Sequence, residues 1–176
     1  MNSSRQDLDG TLPSNNKKDF WIYESKSGTG KNEDGDGKWM LFYDNSIMDE
    51  KWECAKQMYN EDKLNGVLCM KCSTSRRSTR ASTDTEGVII FYCNVLSSNE
   101  NEIMDIGRAI LNNVGCVWKK YIYYKTDIQT SAGTKATGVL KNSTYKLYNP
   151  NYEGPFKSYN PNYDKYFKLP FVSPFP

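Results

Sequence analysis

The sequence predicts an α+β fold, a mostly antiparallel sheet with helices packed on one face. Three observations carry this reading. Four short runs rich in aromatic and β-branched residues read as strands, two longer segments repeat their apolar residues at helical spacing, and the order is strand, helix, strand, strand, helix, strand. At 176 residues the chain has room for one core of ordinary size.

Residues 1–19 are polar and poor in aromatics, and are expected to form a disordered leading segment. Phe20-Trp21-Ile22-Tyr23 is the first apolar cluster, and a glycine-rich charged loop follows over 25–37. Gly28-Thr29-Gly30-Lys31 invites a phosphate-loop reading and fails it. Asn32 stands where Ser or Thr is needed, and Ser25 occupies the place of the first glycine. Asp34 and Asp36 lack the other ligands of a calcium loop. KWMLFYD (38–44) is a short aromatic run bounded by turn residues, hence a buried strand. Ser46-Ile47-Met48-Asp49 reads as a capping box with Asp in place of Glu. Behind it Met48, Trp52, Ala55 and Tyr59 share one helical face, with the helix ending near Asn65-Gly66.

GVLCMKC (66–72) and GVIIFYCNV (87–95) are the next two strands. Asn99 with Glu102 is a second capping box, and Ile103, Ile106, Ile110, Leu111 and Val114 line a helix that stops at Gly115. VWKKYIYYK (117–125) reads as a strand with a basic strip, and TDIQTSAGTKATG (126–138) as a polar loop. One α+β domain over 20–147 is thus expected, followed by a Tyr/Pro/Asn-rich tail over 148–176. In that tail YNPNYEGPFK (148–157) recurs eleven residues later as YNPNYDKYFK (159–168). Its proximal end is expected to wrap the domain, because its aromatics would otherwise form a large exposed apolar surface.

The net charge of +2 conceals a split: residues 1–62 carry a balance of −5 and residues 63–176 a balance of +7. The second part is therefore able to present a basic face to an anionic partner. No histidine occurs. That removes Ser-His-Asp and Cys-His nucleophile activation and histidine-containing zinc sites. No carboxylate pair or nucleophile with its base stands out, so no catalytic residue, cofactor or metal is assigned, and the expectation is a non-enzymatic protein. Five cysteines, an odd number without a secretory signal, read as reduced and mostly buried thiols. Cys69 and Cys72 form a C-x-x-C inside a strand, where positions three apart point to opposite faces, a poor geometry for zinc or a redox pair. No apolar run approaches the ~18 residues of a membrane span, so no membrane partner is expected, and cytoplasm or nucleus is the expected location.

Between two apolar strands lies STSRRSTRAST (73–83), with three arginines, seven hydroxyl side chains and no carboxylate. It admits three readings: a phosphate clamp, a kinase target and a solvated hairpin loop. Ser78, Thr79 and Ser82 sit beside arginines as substrates of basic-directed kinases do, and a phosphate there adds about −1.5 to −2 charge.

Three segments in succession carry a family resemblance: GKWMLFYDNSIMDEKWECAKQM (37–58), EGVIIFYCN (86–94) leading into EIMDIGRAILNNVG (102–115), and KKYIYYKTDIQT (119–130). Together they resemble the basophilic-leukaemia-expressed protein family, itself similar in fold to the cap-binding translation initiation factor. The resemblance spans roughly 37–145. It implies a curved antiparallel sheet with helices on the convex side and a ligand groove on the other. Cap-binding proteins of this shape stack a methylated guanine between tryptophans, read its edge with a carboxylate and hold phosphates with Arg and Lys.

By that resemblance Trp21 is the candidate stacking residue and Glu24 the candidate carboxylate. Arg76, Arg77 and Arg80 become phosphate ligands, with the hydroxyls of Ser78 and Thr79 as further donors, and Lys135 belongs to a second basic loop. Lys71, Lys119 and Lys125 extend the cationic path where strand alternation puts them on one side, and Tyr123 is a second stacking candidate. The expected function is a non-enzymatic RNA- or nucleotide-binding module. The alternative is a protein-interaction adaptor that uses the helical face and the tail.

Overall fold

The computed structural model describes residues 12–26, 37–76, 84–131 and 143–153. Six strands and three α-helices follow in chain order among them. They are β1 (Trp21–Ser25), β2 (Gly37–Asp44), α1 (Met48–Asn60), β3 (Val67–Ser73), β4 (Glu86–Cys93), α2 (Glu100–Asn113), β5 (Tyr121–Thr126), α3 (Asp127–Ser131) and β6 (Tyr145–Tyr148). The strands form one sheet in the order β1-β3-β4-β2-β5-β6, and every neighbouring pair is antiparallel. The α+β architecture with helices on one face is the one the sequence predicts.

The helix-backed face is built by strand alternation. Trp39, Leu41 and Tyr43 of β2, Ile89 and Phe91 of β4, and Met70 and Cys72 of β3 are nearly or wholly inaccessible. Each such side chain is worth ~1.5–3 kcal/mol when withdrawn from water. Polar ends on this face are satisfied internally. Trp39 Nε1 donates to the Ile103 carbonyl of α2 at 3.0 Å, and Tyr43 Oη to the Gly115 carbonyl at 2.8 Å. The buried Lys51 ammonium of α1 donates to the Val114 carbonyl at 3.1 Å, at the negative end of α2. Close helix-to-sheet approach depends on Gly107, where a Cβ would lie 2.8 Å from the Trp39 ring. The chain leaves α2 through Gly115 at φ +76, a conformation only glycine adopts cheaply.

Several element limits differ from the sequence reading, each for a local reason. Ser46 does not cap α1. Asp44 instead accepts from Ser46 N at 2.9 Å and starts a short 3₁₀ turn over Asn45–Ile47, and Asp49 is engaged elsewhere. Helix α1 ends at Asn60 rather than near Asn65-Gly66, because Asp62 takes a left-handed φ of 59° that breaks the helix. Strand β5 begins at Tyr121, since Cys116, Val117 and Lys119 spend their carbonyls on Asn149 and Glu153 rather than on a ladder. The stretch after it opens with α3, where Thr126 and Gln129 cap each other. Strands β1 and β6, absent from the expected order, close the two edges. Of the second capping box one arm forms: Asn99 Oδ1 accepts from Glu102 N at 3.4 Å, whereas Asn99 N donates to Leu96 O and the Glu102 carboxylate accepts from the Asn99 side-chain amide at 2.7 Å.

Two flanking segments are pinned to this sheet. Residues 12–19 belong to the segment expected to be disordered, and they lie along 74–76. Ser75 N donates to Pro13 O at 2.9 Å, Ser75 Oγ to Asn16 O at 2.8 Å, and Arg76 N to Asn16 O at 3.3 Å. Ser14 adds two bonds to the Asp49 carboxylate, from N at 2.9 Å and from Oγ at 2.5 Å. At the other edge residues 149–153 return along Val117–Lys120. All five cysteines are reduced thiols, and Cys69, Cys72, Cys93 and Cys116 are buried. Cys69 pairs with Tyr92 and Cys72 with Ile89, register positions of opposite faces, as the C-x-x-C reading requires. Among the described residues no group of three or more His, Cys, Asp or Glu is placed to hold a metal. No helix there is long and apolar enough to cross a membrane.

Candidate functional site

Among the described residues the second face of the sheet carries no long helix, and the register shows what it presents. One row runs Tyr23, Lys71, Ile90, Met40, Tyr123, Lys146 across all six strands, and a neighbouring row runs Cys69, Tyr92, Lys38, Lys125. Trp21 projects to the same side, two residues before Tyr23. Lysines and aromatic rings therefore alternate over this surface.

Its densest point is the corner formed by β1, β3 and β4. Lys71 Nζ lies 4.4 Å from the centroid of Trp21 and 5.5 Å from that of Tyr92. Lys38 Nζ is 5.2 Å from the Tyr92 centroid and pairs with the Asp127 carboxylate of α3. Burial, with the adjacent Lys38 charge, pushes the Lys71 ammonium below the usual lysine range, while Asp127 opposes that shift. Burial pushes the Tyr92 phenol well up, and Asp127 adds to it. Lys71 is thus a partly desolvated cation clamped between two ring faces, the arrangement in which cation–π attraction is largest.

Beyond the end of β1 the surface opens into a hollow of about 270 Å³ lined by Lys18, Asp19, Phe20, Trp21, Tyr23 and Arg76. The Arg76 guanidinium stacks 4.3 Å from the Phe20 centroid, and its Nη1 donates to the Lys18 carbonyl. Phe20 and Tyr23 remain exposed at 41% and 42%. The strap over 12–20 builds this hollow, since Thr74, Ser75 and Arg76 all bond to its carbonyls.

The expected site residues converge only in part. Lys71, Arg76 and Trp21 meet at the corner. Glu24 does not join them: it shares the helix side with Ile22, and its carboxylate accepts from Asn60 Nδ2 at 3.2 Å. Trp21 and Glu24 are three positions apart on a strand, so one side chain cannot stack a base while the other reads its edge. Tyr123 and Lys125 are on the correct face but at β5, three strand spacings or roughly 14 Å from Lys71. With Lys146 and Tyr121, whose ring is 5.0 Å from Lys146 Nζ, they form a second, separate cluster. Lys119 belongs to neither. It precedes β5, and its ammonium pairs with Glu86 at 2.7 Å, at the far end of β4 from Tyr92. Arg77, Ser78, Thr79, Arg80, Ser82 and Lys135 lie outside the described residues, as do the glycine-rich loop over 27–36 and the tail from 154.

Sequence reasoning missed Lys18, Phe20, Tyr23, Lys38, Tyr92 and Lys146. The available signal was period-two alternation: 21 and 23 on β1, and 121, 123 and 125 on β5, place aromatic and basic residues on one face once those runs are read as strands.

No protein-family model matches the chain, and no curated protein sequence does. The resemblance to the basophilic-leukaemia-expressed family thus rests on its three segments. Among solved structures the chain is similar to C. elegans eIF4E-3 in complex with the 4E-binding protein Mextli. The TM-score is 0.47 at 9% identity, covering 64% of this chain and 59% of that one. The chain accordingly spans about three fifths of the length of that structure.

Proposed function

We propose that this protein is a non-enzymatic module that binds single-stranded RNA or nucleotides on the face of its sheet opposite α1 and α2. The observation that carries the reading is the corner cluster, where Lys71 lies on the Trp21 ring beside the hollow of Phe20, Tyr23, Lys18 and Arg76. A phosphorylated nucleotide needs both of these components. Cations neutralise phosphates and release condensed counterions, while ring faces stack bases without regard to sequence at ~1–3 kcal/mol per base. Arg76 stands at the start of the arginine-rich loop, so Arg77 and Arg80 follow directly along the chain from an anchored residue. The Tyr121, Tyr123, Lys125 and Lys146 cluster supplies a second contact roughly 14 Å away, which favours a strand of more than one nucleotide over a mononucleotide. The succession of three segments supports placing the chain with the basophilic-leukaemia-expressed family.

The test is tryptophan fluorescence titrated with a cap analogue, an uncapped nucleoside triphosphate and a short single-stranded RNA. The parent is compared with a variant carrying Lys71→Ala, Arg76→Ala, Arg77→Ala and Arg80→Ala. RNA is expected to quench the parent, with a log-log salt slope of about −3 for roughly four neutralised phosphates, and the variant is expected to lose at least tenfold in affinity. An absent response to all three ligands, or a response insensitive to salt, overturns the reading in favour of the interaction adaptor.

A further inference from the structure

The tail repeat acquires a physical meaning from its first copy. Tyr145–Tyr148 is β6, and Asn149 immediately after it is fully buried. The Asn149 amide donates to the carbonyls of Cys116 and Lys119, and its backbone N–H donates to Lys120 O at 3.0 Å. Its Oδ1 accepts from Asn151 N at 3.0 Å, which shapes the turn, and Glu153 N closes on Val117 O at 3.0 Å. Tyr148 stacks edge-on against Tyr121, with centroids 5.8 Å apart. The nine residues 145–153 therefore act as one cassette that closes the sheet edge and satisfies the carbonyls of Cys116, Val117, Lys119 and Lys120.

That cassette occurs twice. YKLYNPNYE at 145–153 aligns with FKSYNPNYD at 156–164, so that Asn160 stands for Asn149, Tyr159 for Tyr148 and Lys157 for Lys146. We propose that residues 156–164 are a second key for the same seat, and that the β5 edge exchanges between two registers of one chain.

Three differences favour the first copy. Leu147, partly buried against the core, is replaced by Ser158. Tyr145 Oη donates to Ser97 O at 2.8 Å, and Phe156 has no hydroxyl to do so. Thr144 N donates to Tyr124 O at 2.9 Å, whereas Pro155 has no N–H. Seating the second copy also roughly doubles the connection from Ser131 to the strand, about a threefold penalty. Together these keep the second register below about one molecule in a hundred. The exchange inserts eleven residues into the connection that carries Lys135, so the tail sets the length of the second basic loop.

Hydrogen–deuterium exchange on the full chain tests this with Asn149→Ala, alone and combined with Ser158→Leu. In the double variant, protection is expected to leave 145–149 and appear at 156–160 with at least tenfold slower exchange, while β2 and α2 stay protected. Asn160→Ala, silent in the parent, is expected to lower the melting midpoint by about 3 °C in the Asn149→Ala background. Absence of protection at 156–160, or strict additivity of the two asparagine substitutions, overturns the proposal. Protection that rises with protein concentration assigns the seat to a neighbouring molecule's tail and also overturns it. Should Asn149→Ala unfold the domain, Ser158→Leu alone is decisive: it leaves every buried hydrogen bond intact and is expected to raise the second register about tenfold, towards one molecule in ten, read as a minor set of amide resonances for 156–160, and the absence of that set overturns the exchange.

Discussion

Trp39 and Trp21 lie on opposite faces of one sheet and meet opposite surroundings. Trp39 is wholly buried, packs edge-on against Tyr124 at 5.5 Å and spends its only polar atom on the Ile103 carbonyl. Trp21 is half-buried, and what lies on its ring is the Lys71 ammonium. Where helices cover the sheet, each aromatic is completed by carbon and by one carbonyl. Where they do not, the ring faces are held by cations, whose remaining donors stay available to an anion.

The contrast is most directly broken by truncation. Trp39→Ala is expected to cost about 3–5 kcal/mol in denaturant unfolding, because the ring fills the space under α2 that no neighbour can reclaim. Trp21→Ala should cost less than about 1.5 kcal/mol. Equal losses would mean that both faces belong to the core.

Alkaline pH probes the buried thiols and Lys71 next. Burial holds the Cys93 thiol up at about 12 and raises that of Cys72 further, from an ordinary value of 9.0. The fold thus keeps protons that the unfolded chain releases, so this stabilisation is complete below pH 9 and is lost as pH rises towards 12. Each such thiol contributes up to about 1.4 kcal/mol per pH unit, so these two alone account for a loss of about 2 kcal/mol between pH 9 and 10 in unfolding at the two pH values, and the Cys69 thiol and Tyr92 phenol of the other face, also raised by burial, add to it in the same sense. Lys71 acts in the opposite sense. Its pKa is depressed below 10.5, so the unfolded chain holds the proton that the fold gives up, and stability from this residue rises as pH climbs through that window.

The smallest expected effect is Lys71→Met. At neutral pH it exchanges a cation–π contact for relief of a desolvated charge, and stability should move by no more than about 1 kcal/mol in either direction. The same variant should show a steeper decline between pH 9 and 10, because the opposing proton is gone. An unchanged slope would place the Lys71 ammonium in water rather than between the Trp21 and Tyr92 rings.

Much of the helix-backed face was legible in the sequence. KWMLFYD, GVLCMKC and GVIIFYCNV are dense enough in apolar residues to read as strands, and the isoleucine series of α2 keeps helical spacing. The edges were not. Strand β1 is five residues long with one exposed position and two partly buried ones on its outer face, and β6 alternates partly buried with exposed positions. Neither buries enough to imprint a pattern. The site suffered from the same gap. Lys71 and Trp21 are fifty positions apart in sequence, and only the β1–β3 register brings them together. Glu24 falls outside the corner because a strand sends positions 21 and 24 to opposite faces, so closeness in sequence is not closeness in space. The start of α1 differs from the sequence expectation for a comparable reason. Ser46 and Asp49 have the right spacing, but Asp44 reached the first amide earlier and Asp49 was taken by Ser14.

The strap over 12–20 holds 74–76 almost wholly through main-chain oxygens, those of Pro13, Asn16, Lys18, Asp19 and Phe20. A carbonyl is the same atom whatever side chain accompanies it. The grip on 74–76 is therefore set by the path of the strap, while its side chains are spent elsewhere: Pro13 is buried, Ser14 bonds Asp49 and Phe20 carries the Arg76 guanidinium. A deletion of one residue within the strap would shift every acceptor past its donor and release the first arginine of the loop.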